Sequence, residues 1–225
     1  MNLSIVQARM SSTRLPGKVL KSVKNTTMLE YQLSRVSLSK FIDKIVVATS
    51  TDKSDDVIVD ICNNIGIDVF RGSLSNVLER FYQCASMYLP KNVIRITADC
   101  PVIDPLIIDN VIRLHEETSA DYTSSVFPRS FPDGLDVEIM TYQLLDYVHK
   151  NATEQEDIEH VTKYIHKNHT KFKISNFENS NNLSKLRWTL DTESDYIFLK
   201  EIIESFENNT YNMYDILEKL KSKEK

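Results

Sequence analysis

Glycine is scarce in this chain, with four residues among 225. No GxxxxGK[ST] loop is present, so a Walker-type phosphate loop is excluded. The three cysteines, Cys62, Cys84 and Cys100, are odd in number, far apart and without a CxxC pair. That excludes a disulfide framework and gives no zinc motif. No apolar run approaches the roughly 20 residues of a membrane span. The start, Met1-Asn2-Leu3-Ser4-Ile5-Val6, lacks the basic and long apolar regions of a secretory signal, so a cytoplasmic protein is expected. Positive charge is not in surplus either: the net charge is −5, which argues against a nucleic-acid-coating protein. What the chain does have is 41% hydrophobic and 26% charged residues, enough for a sizeable core.

Short apolar runs alternate with helical patterns through the first half. Leu3–Val6, Ile45–Thr49, Ile67–Phe70 and Val93–Thr97 read as strands. Between them, Met28, Leu29, Leu33 and Val36 recur at helical spacing behind Thr26 or Thr27 as cap, and Val57, Ile58, Ile61 and Ile65 do so before Gly66. Asp104-Pro105 is a helix start, an Asp cap with proline at the first helical position. This rhythm predicts an α/β fold, a Rossmann-like, mostly parallel sheet with helices on both faces. Ligands on such sheets bind beyond the carboxyl ends of the strands. After Asp121 the pattern loosens. Tyr122–Val126, Leu135–Ile139, Phe172–Phe177 and Leu186–Leu190 read as further strands. Thr153-Glu154-Gln155-Glu156 has capping-box spacing before a helix carrying Ile158, Val161 and Ile165. Two helices and a charged, fraying tail at 221–225 close the chain. The expectation is a single domain over 1–225 with a β-rich insertion at about 120–185, serving dimerisation and the acceptor.

Residues 1–29 hold Arg9, Arg14, Lys18, Lys21 and Lys24 and no acid. Within them, Gln7-Ala8-Arg9-Met10-Ser11-Ser12-Thr13-Arg14-Leu15-Pro16-Gly17-Lys18 follows a buried-looking strand. It offers hydroxyls, cations that grip phosphate oxygens, and a glycine that permits close approach. Charge spacing alone fits a polyphosphate cradle and a solvated basic loop equally well.

The stretch Ala8 to Leu20 resembles the nucleotide-binding signature of the CMP-sugar synthetase superfamily. The likeness is strongest to its branch of spore-coat polysaccharide biosynthesis cytidylyltransferases. That superfamily also holds the acylneuraminate and 3-deoxy-manno-octulosonate cytidylyltransferases. Further segments match in order: Val46–Ser50, Phe70–Ser73, Val77–Phe81, Arg95–Pro101, Pro132–Glu138, Glu159–Thr162 and Arg187–Thr192. The resemblance covers about residues 3 to 203. It implies a nucleotide-diphospho-sugar transferase fold, CTP as substrate and Mg2+ as cofactor. The nucleotide would be bound by Ala8, Arg9, Ser12, Arg14, Lys18, Thr49, Arg71, Ser73 and Arg80, with Arg14, Lys18 and Asp99 catalytic. Asn76 stands where an acid is common. Ser22–Thr26 lacks the glycine turn usual between the loop and the first helix.

Asp99 and Asp191 each follow an apolar run, so both carboxylates can face one crevice. The resemblance gives them the metal. Spacing alone also allows Asp191 to be a helix cap. Lys18 is expected as a solvent-facing loop cation, and Cys100 and Trp188 as packing residues. For the acceptor, the resemblance points to Pro132–Glu138. Asp136 and Glu138 are expected to share one strand face. With them go Asp133, Arg129 and His160; a surface arginine and a structural or interface histidine are the plainer readings of the last two. The expected activity is cytidylyl transfer from CTP to a small acidic sugar, or to a phosphonate or sugar phosphate, for a surface polysaccharide or glycan, by a homodimer that binds neither nucleic acid nor membrane. A glycosyltransferase would show Asp-x-Asp at the strand end, where this chain has Asp99-Cys100-Pro101. A non-catalytic nucleotide-binding subunit would be expected to lose some of Arg14, Lys18, Asp99 and Asp191.

Overall fold

A computed structural model describes residues 1–223. Four parallel strands, β1 (Asn2–Gln7), β4 (Lys44–Ser50), β5 (Asp68–Gly72) and β6 (Asn92–Thr97), form one half of a seven-stranded sheet. The other half is β8 (Glu138–Thr141), β7 (Tyr122–Ser124) and β9 (Ile174–Asn176). The strand order is β5-β4-β1-β6-β8-β7-β9, and β8 alone runs antiparallel to its neighbours. The chain steps outward from β1 to β4 and β5, then crosses back to β6 on the other side of β1. That reversal opens a crevice at the carboxyl ends of β1 and β6.

Both sheet faces are covered because β1 and its neighbours alternate apolar residues to either side. Val6, Val47, Ile94 and Ile96 pack under α1 (Met28–Val36), α2 (Asp56–Asn64), α4 (Pro105–Thr118), α8 (Glu193–Glu204) and α9 (Met213–Lys223). Leu3, Ile5, Val46 and Val93 pack under α3 (Val77–Tyr88), α5 (Tyr142–Asn151) and α7 (Lys163–Lys167). The helix starts follow the sequence signals. Thr27 and Glu30 make a reciprocal capping box, and Asp104 caps α4 ahead of Pro105. Among the described residues, no helix is long and apolar enough to cross a membrane.

Several elements differ from expectation. The 120–185 segment extends the main sheet by three short strands and also carries α5, α6 (Gln155–Glu159) and α7. Thr153 is not a cap, since Glu154 takes that position without a side-chain bond. The helix breaks at His160, where the backbone leaves helical geometry, and resumes at Lys163, while Val161 and Ile165 stay buried beneath. The glycine-free turn at Ser22–Thr26 is a small hairpin, β2 (Ser22–Val23) and β3 (Thr26–Thr27), in which Lys24 and Asn25 themselves adopt positive φ of 46° and 64°. The tail expected to fray is helical to Lys223; residues 224–225 lie outside the described residues.

Candidate functional site

The basic loop leaves β1 and is pinned from below by Asp55, which is 1% exposed. Its Oδ1 accepts from the Met10 amide at 2.7 Å, and its Oδ2 accepts from the Thr49 hydroxyl at 3.0 Å and the Ser50 amide at 3.1 Å. Gly17 then turns the chain back at φ 67°, its amide donating to the Met10 carbonyl at 3.1 Å, while Leu15 and Val19 sink into the core. The reversal returns Lys18 to the strand ends. Its Nζ lies 3.2 Å from Asp99 Oδ2 and 3.0 Å from Asp191 Oδ1. Lys18 is not the solvent-facing cation expected: its side chain is 13% exposed, because two carboxylates draw it inward. Arg14 Nη2 closes on Asp191 Oδ2 at 2.9 Å from the open side.

Asp191 does not arrive on a strand. Residues 186–190 run beside the loop at 132–134, with one isolated bridge between Asp133 and Arg187. The Trp188 amide donates to the Asp133 carbonyl, and the Leu190 amide donates to the Asp99 carbonyl at 2.8 Å. This last bond sets Asp191 beside Asp99. Gly134 makes the crossing possible: its φ is 110°, and a Cβ there would meet the Trp188 backbone at 2.6 Å. Thr192, not Asp191, caps α8 through its hydroxyl, with Asp195 completing the capping box.

The crevice holds about 350 Å³ and is lined by Ala8, Arg9, Ser12, Thr13, Arg14, Lys18, Arg95, Thr97, Asp99, His160 and Asp191, with Gln7, Val19 and Ala98 below. That volume lies in the range of small-molecule sites. Burial pushes the Asp99 carboxyl up, but the Lys18 ammonium and the Thr97 hydroxyl outweigh it, and the group stays below the usual carboxylate range. It is an anion at neutral pH. Asp99 Oδ2 and Asp191 Oδ1 lie 3.2 and 3.0 Å from one cationic nitrogen, so both carboxylates face the same point of the crevice. Among the described residues, no cluster of three or more acidic, His or Cys side chains could hold a metal alone. Two carboxylates are a donor set that would suit magnesium, a hard cation commonly held by one or two carboxylates together with substrate phosphates.

Other expected site residues lie outside this crevice. Thr49 is committed to Asp55. Arg71 is spent on the Ser50 and Asp52 carbonyls and on Asp56. The Ser73 hydroxyl accepts from the Asn76 amide at 2.9 Å, and Asn76 caps α3. Arg80 is fully buried; its Nη1 donates to the Ser73 carbonyl at 2.8 Å, while Nε and Nη2 have no partner. Burial first and the nearby Arg9 second bring its pKa down to about 10. Arg129 grips Asp136 with both terminal nitrogens, at 2.5 and 2.7 Å, and reaches Asp133 at 3.4 Å. Asp136 and Glu138 do not act as a pair on one strand face. Asp136 precedes β8 and faces Arg129, whereas Glu138 is 3% exposed and pairs with Arg95 directly across β6. Each acid is neutralised by its own arginine, which leaves neither free for a metal. Cys100 and Trp188 are buried, as expected for packing residues.

Thr13, one of the hydroxyls expected of the basic loop, lines the crevice; so do Arg95, Thr97 and Gln7, which the sequence does not single out as site residues. Arg95 had a signal: a lone charge in the otherwise apolar run Val93-Ile94-Arg95-Ile96.

A family model described as cytidylyltransferase matches residues 3–224. The spore coat polysaccharide biosynthesis protein SpsF of Bacillus subtilis is 36% identical over 207 residues, covering 89% of this chain and 85% of that protein. A solved cytidylyltransferase structure from Leptospira borgpetersenii superposes with a TM-score of 0.95 at 34% identity, over 99% of this chain and 94% of the other. A CMP:2-keto-3-deoxy-manno-octonic acid synthetase complexed with CTP shares the fold, with a TM-score of 0.67 at 14% identity, over 91% of this chain and 98% of that one.

Proposed function

The chain belongs to the cytidylyltransferase family, and from that premise we propose that it joins CMP from CTP to an acidic sugar, or to a related phosphorylated acceptor, in a Mg2+-dependent reaction. The observation that carries this reading is the convergence of Arg14, Lys18, Asp99 and Asp191 at the carboxyl ends of β1 and β6. Arg9, Arg14 and Lys18 bind the triphosphate oxygens. An acceptor oxygen attacks the α-phosphorus; the bond to the bridging oxygen breaks, and pyrophosphate leaves with that electron pair. Where the attacking group is a hydroxyl, His160 at the crevice wall accepts its proton. Asp99 and Asp191 would hold magnesium, which when bound supplies positive charge against the phosphates. As CTP enters, Lys18 exchanges its carboxylate partners for phosphate oxygens, so the cation is already present where charge develops. The relationship to SpsF supports a role in building a surface polysaccharide.

A pyrophosphate-release assay tests the reading. CTP, UTP, ATP and GTP are each supplied with Mg2+ and a panel of acidic sugars, sugar phosphates and phosphonates. Turnover is expected with CTP and one acidic or phosphorylated acceptor. Equal turnover with UTP or ATP would sink CTP selectivity. A homodimer belongs to the same proposal, with the exposed Tyr147 of α5 on its surface; sedimentation velocity checks it.

A further inference from the structure

Arg95 sits on β6 between apolar neighbours, and β6–β8 pairing places it directly opposite Glu138. Glu138 is sealed from solvent and fully engaged. One carboxylate oxygen pairs with Arg95 Nη1, and the other accepts from the Tyr122 hydroxyl at 2.5 Å. That hydroxyl also lies 2.9 Å from His166 Nε2, and the His166 ring stacks on Phe127 with centroids 4.4 Å apart. Burial pushes the Glu138 carboxyl up, yet Arg95 outweighs it and holds the group ionised. Glu138 thus has nothing left to offer a ligand. It can only fix the guanidinium.

Arg95 is not used up in the same way. Nη1 is taken, Nε is sealed from solvent without a partner, and Nη2 makes no hydrogen bond among the described residues. Nη2 shares one edge of the guanidinium with Nε; with Nε sealed, Nη2 is the donor that a carboxylate or phosphate oxygen in the crevice can reach. An ion pair buried only for stability gains little over an apolar pair of the same shape, and an unpaired buried donor adds a cost. The side chain also lines the crevice with Thr97, Asp99 and His160. It lies two residues before Thr97 on β6, roughly 7 Å deeper along the strand. The triphosphate has its own cations on the loop after β1. A second anion, carried by the acceptor, is the group left for Arg95 to bind.

We propose that Arg95 is the receptor for the carboxylate or phosphate of the acceptor, and that Glu138, Tyr122 and His166 are the positioning residues that hold its guanidinium in place at the crevice. The proposal rests on the cytidylyl-transfer reading and names the acceptor's recognition group. Arg95→Lys keeps the charge beside Glu138 and removes the fork. The paired Arg95→Met and Glu138→Leu replacement removes both charges, so that neither is stranded. Binding of 3-deoxy-manno-octulosonate and of glucose 1-phosphate is measured by titration calorimetry with Mg2+ and CMP present; CTP binding is measured separately. At least one acid is expected to bind the wild type and to lose about 10- to 100-fold in affinity in both variants, with CTP affinity unchanged within about twofold. Binding of neither acid, or equal binding to wild type and variants, overturns the assignment of Arg95. Equal losses for acid and CTP also overturn it, since a merely structural pair would act on both. Failure of the cytidylyl-transfer reading shows separately, as a wild type that neither binds CTP nor releases pyrophosphate.

Discussion

Lys18 and Arg95 are both cations closed onto carboxylates, and the two clusters are built in opposite ways. The Lys18 cluster joins three distant segments of chain at an open crevice, where Arg14 on Asp191 is 63% exposed. The Arg95 cluster joins adjacent strands inside the protein, around a glutamate side chain that is 4% exposed. Under the proposed reaction, partners at the crevice are exchanged for phosphate and metal at its open side. Partners in the core cannot be exchanged, because separating them strands a charge in low dielectric. One cluster is arranged to rearrange, the other to hold still.

The sharpest way to break the contrast is to remove one partner from each. Glu138→Ala leaves the Arg95 guanidinium buried without its carboxylate and should cost about 3–5 kcal/mol of stability. Asp191→Asn should cost less, because the amide keeps the shape and the hydrogen-bonding oxygen and its partner Arg14 is 63% exposed. Urea denaturation of both variants checks the pair; equal losses would erase the distinction. Activity should separate them the other way. On the proposed reaction, Asp99→Asn removes one of the two carboxylates that would hold magnesium, and turnover should fall a hundredfold or more, on the order of 3 kcal/mol. Adding Asp191→Asn should bring little further loss, since both would serve one ion. Steady-state pyrophosphate release measures each variant and the double.

Lys18→Ala tests the crevice cluster from its cationic side. Asp99 would then lose its ion-pair partner, while Arg14 and Arg187 still hold Asp191, so turnover should fall and stability should drop by about 1 kcal/mol. Unchanged kinetics with unchanged melting would return the loop to a solvated surface role. The smallest effect concerns a third polar group, away from both clusters. His115 lies in the core against Thr123 and Asn92, and burial brings its pKa down from 6.5 to about 4. The unfolded chain takes up the proton first as pH falls. Stability should therefore decline between pH 6.5 and about 4, and His115→Gln should flatten that slope. Thermal melts across this range are the measurement.

The parallel half of the sheet was legible because its strands are short, apolar and β-branched and its helices carry ordinary caps, as at Thr27 and Asp104. Residues 120–190 were less so. Their strands have three or four residues, too few to establish a period, and the extended run at 186–190 hydrogen-bonds to loops instead of a strand. Asp136 and Glu138 misled for the same reason: two-residue spacing gives a shared face only where both belong to a strand, and β8 begins at Glu138.

The sequence by itself determined the alternation of strand and helix, the position of the basic loop after the first strand, and the choice of Lys18, Asp99 and Asp191. Those depend on local pattern, on charge against an apolar background and on family resemblance. Tertiary structure alone decided that Lys18 lies 3.2 Å from Asp99 and 3.0 Å from Asp191, across 81 and 173 residues of chain. It also decided that Glu138 fixes Arg95. Such contacts depend on which strands become neighbours and on where one backbone can pass another, as at Gly134, and neither is written in the spacing of residues along the chain.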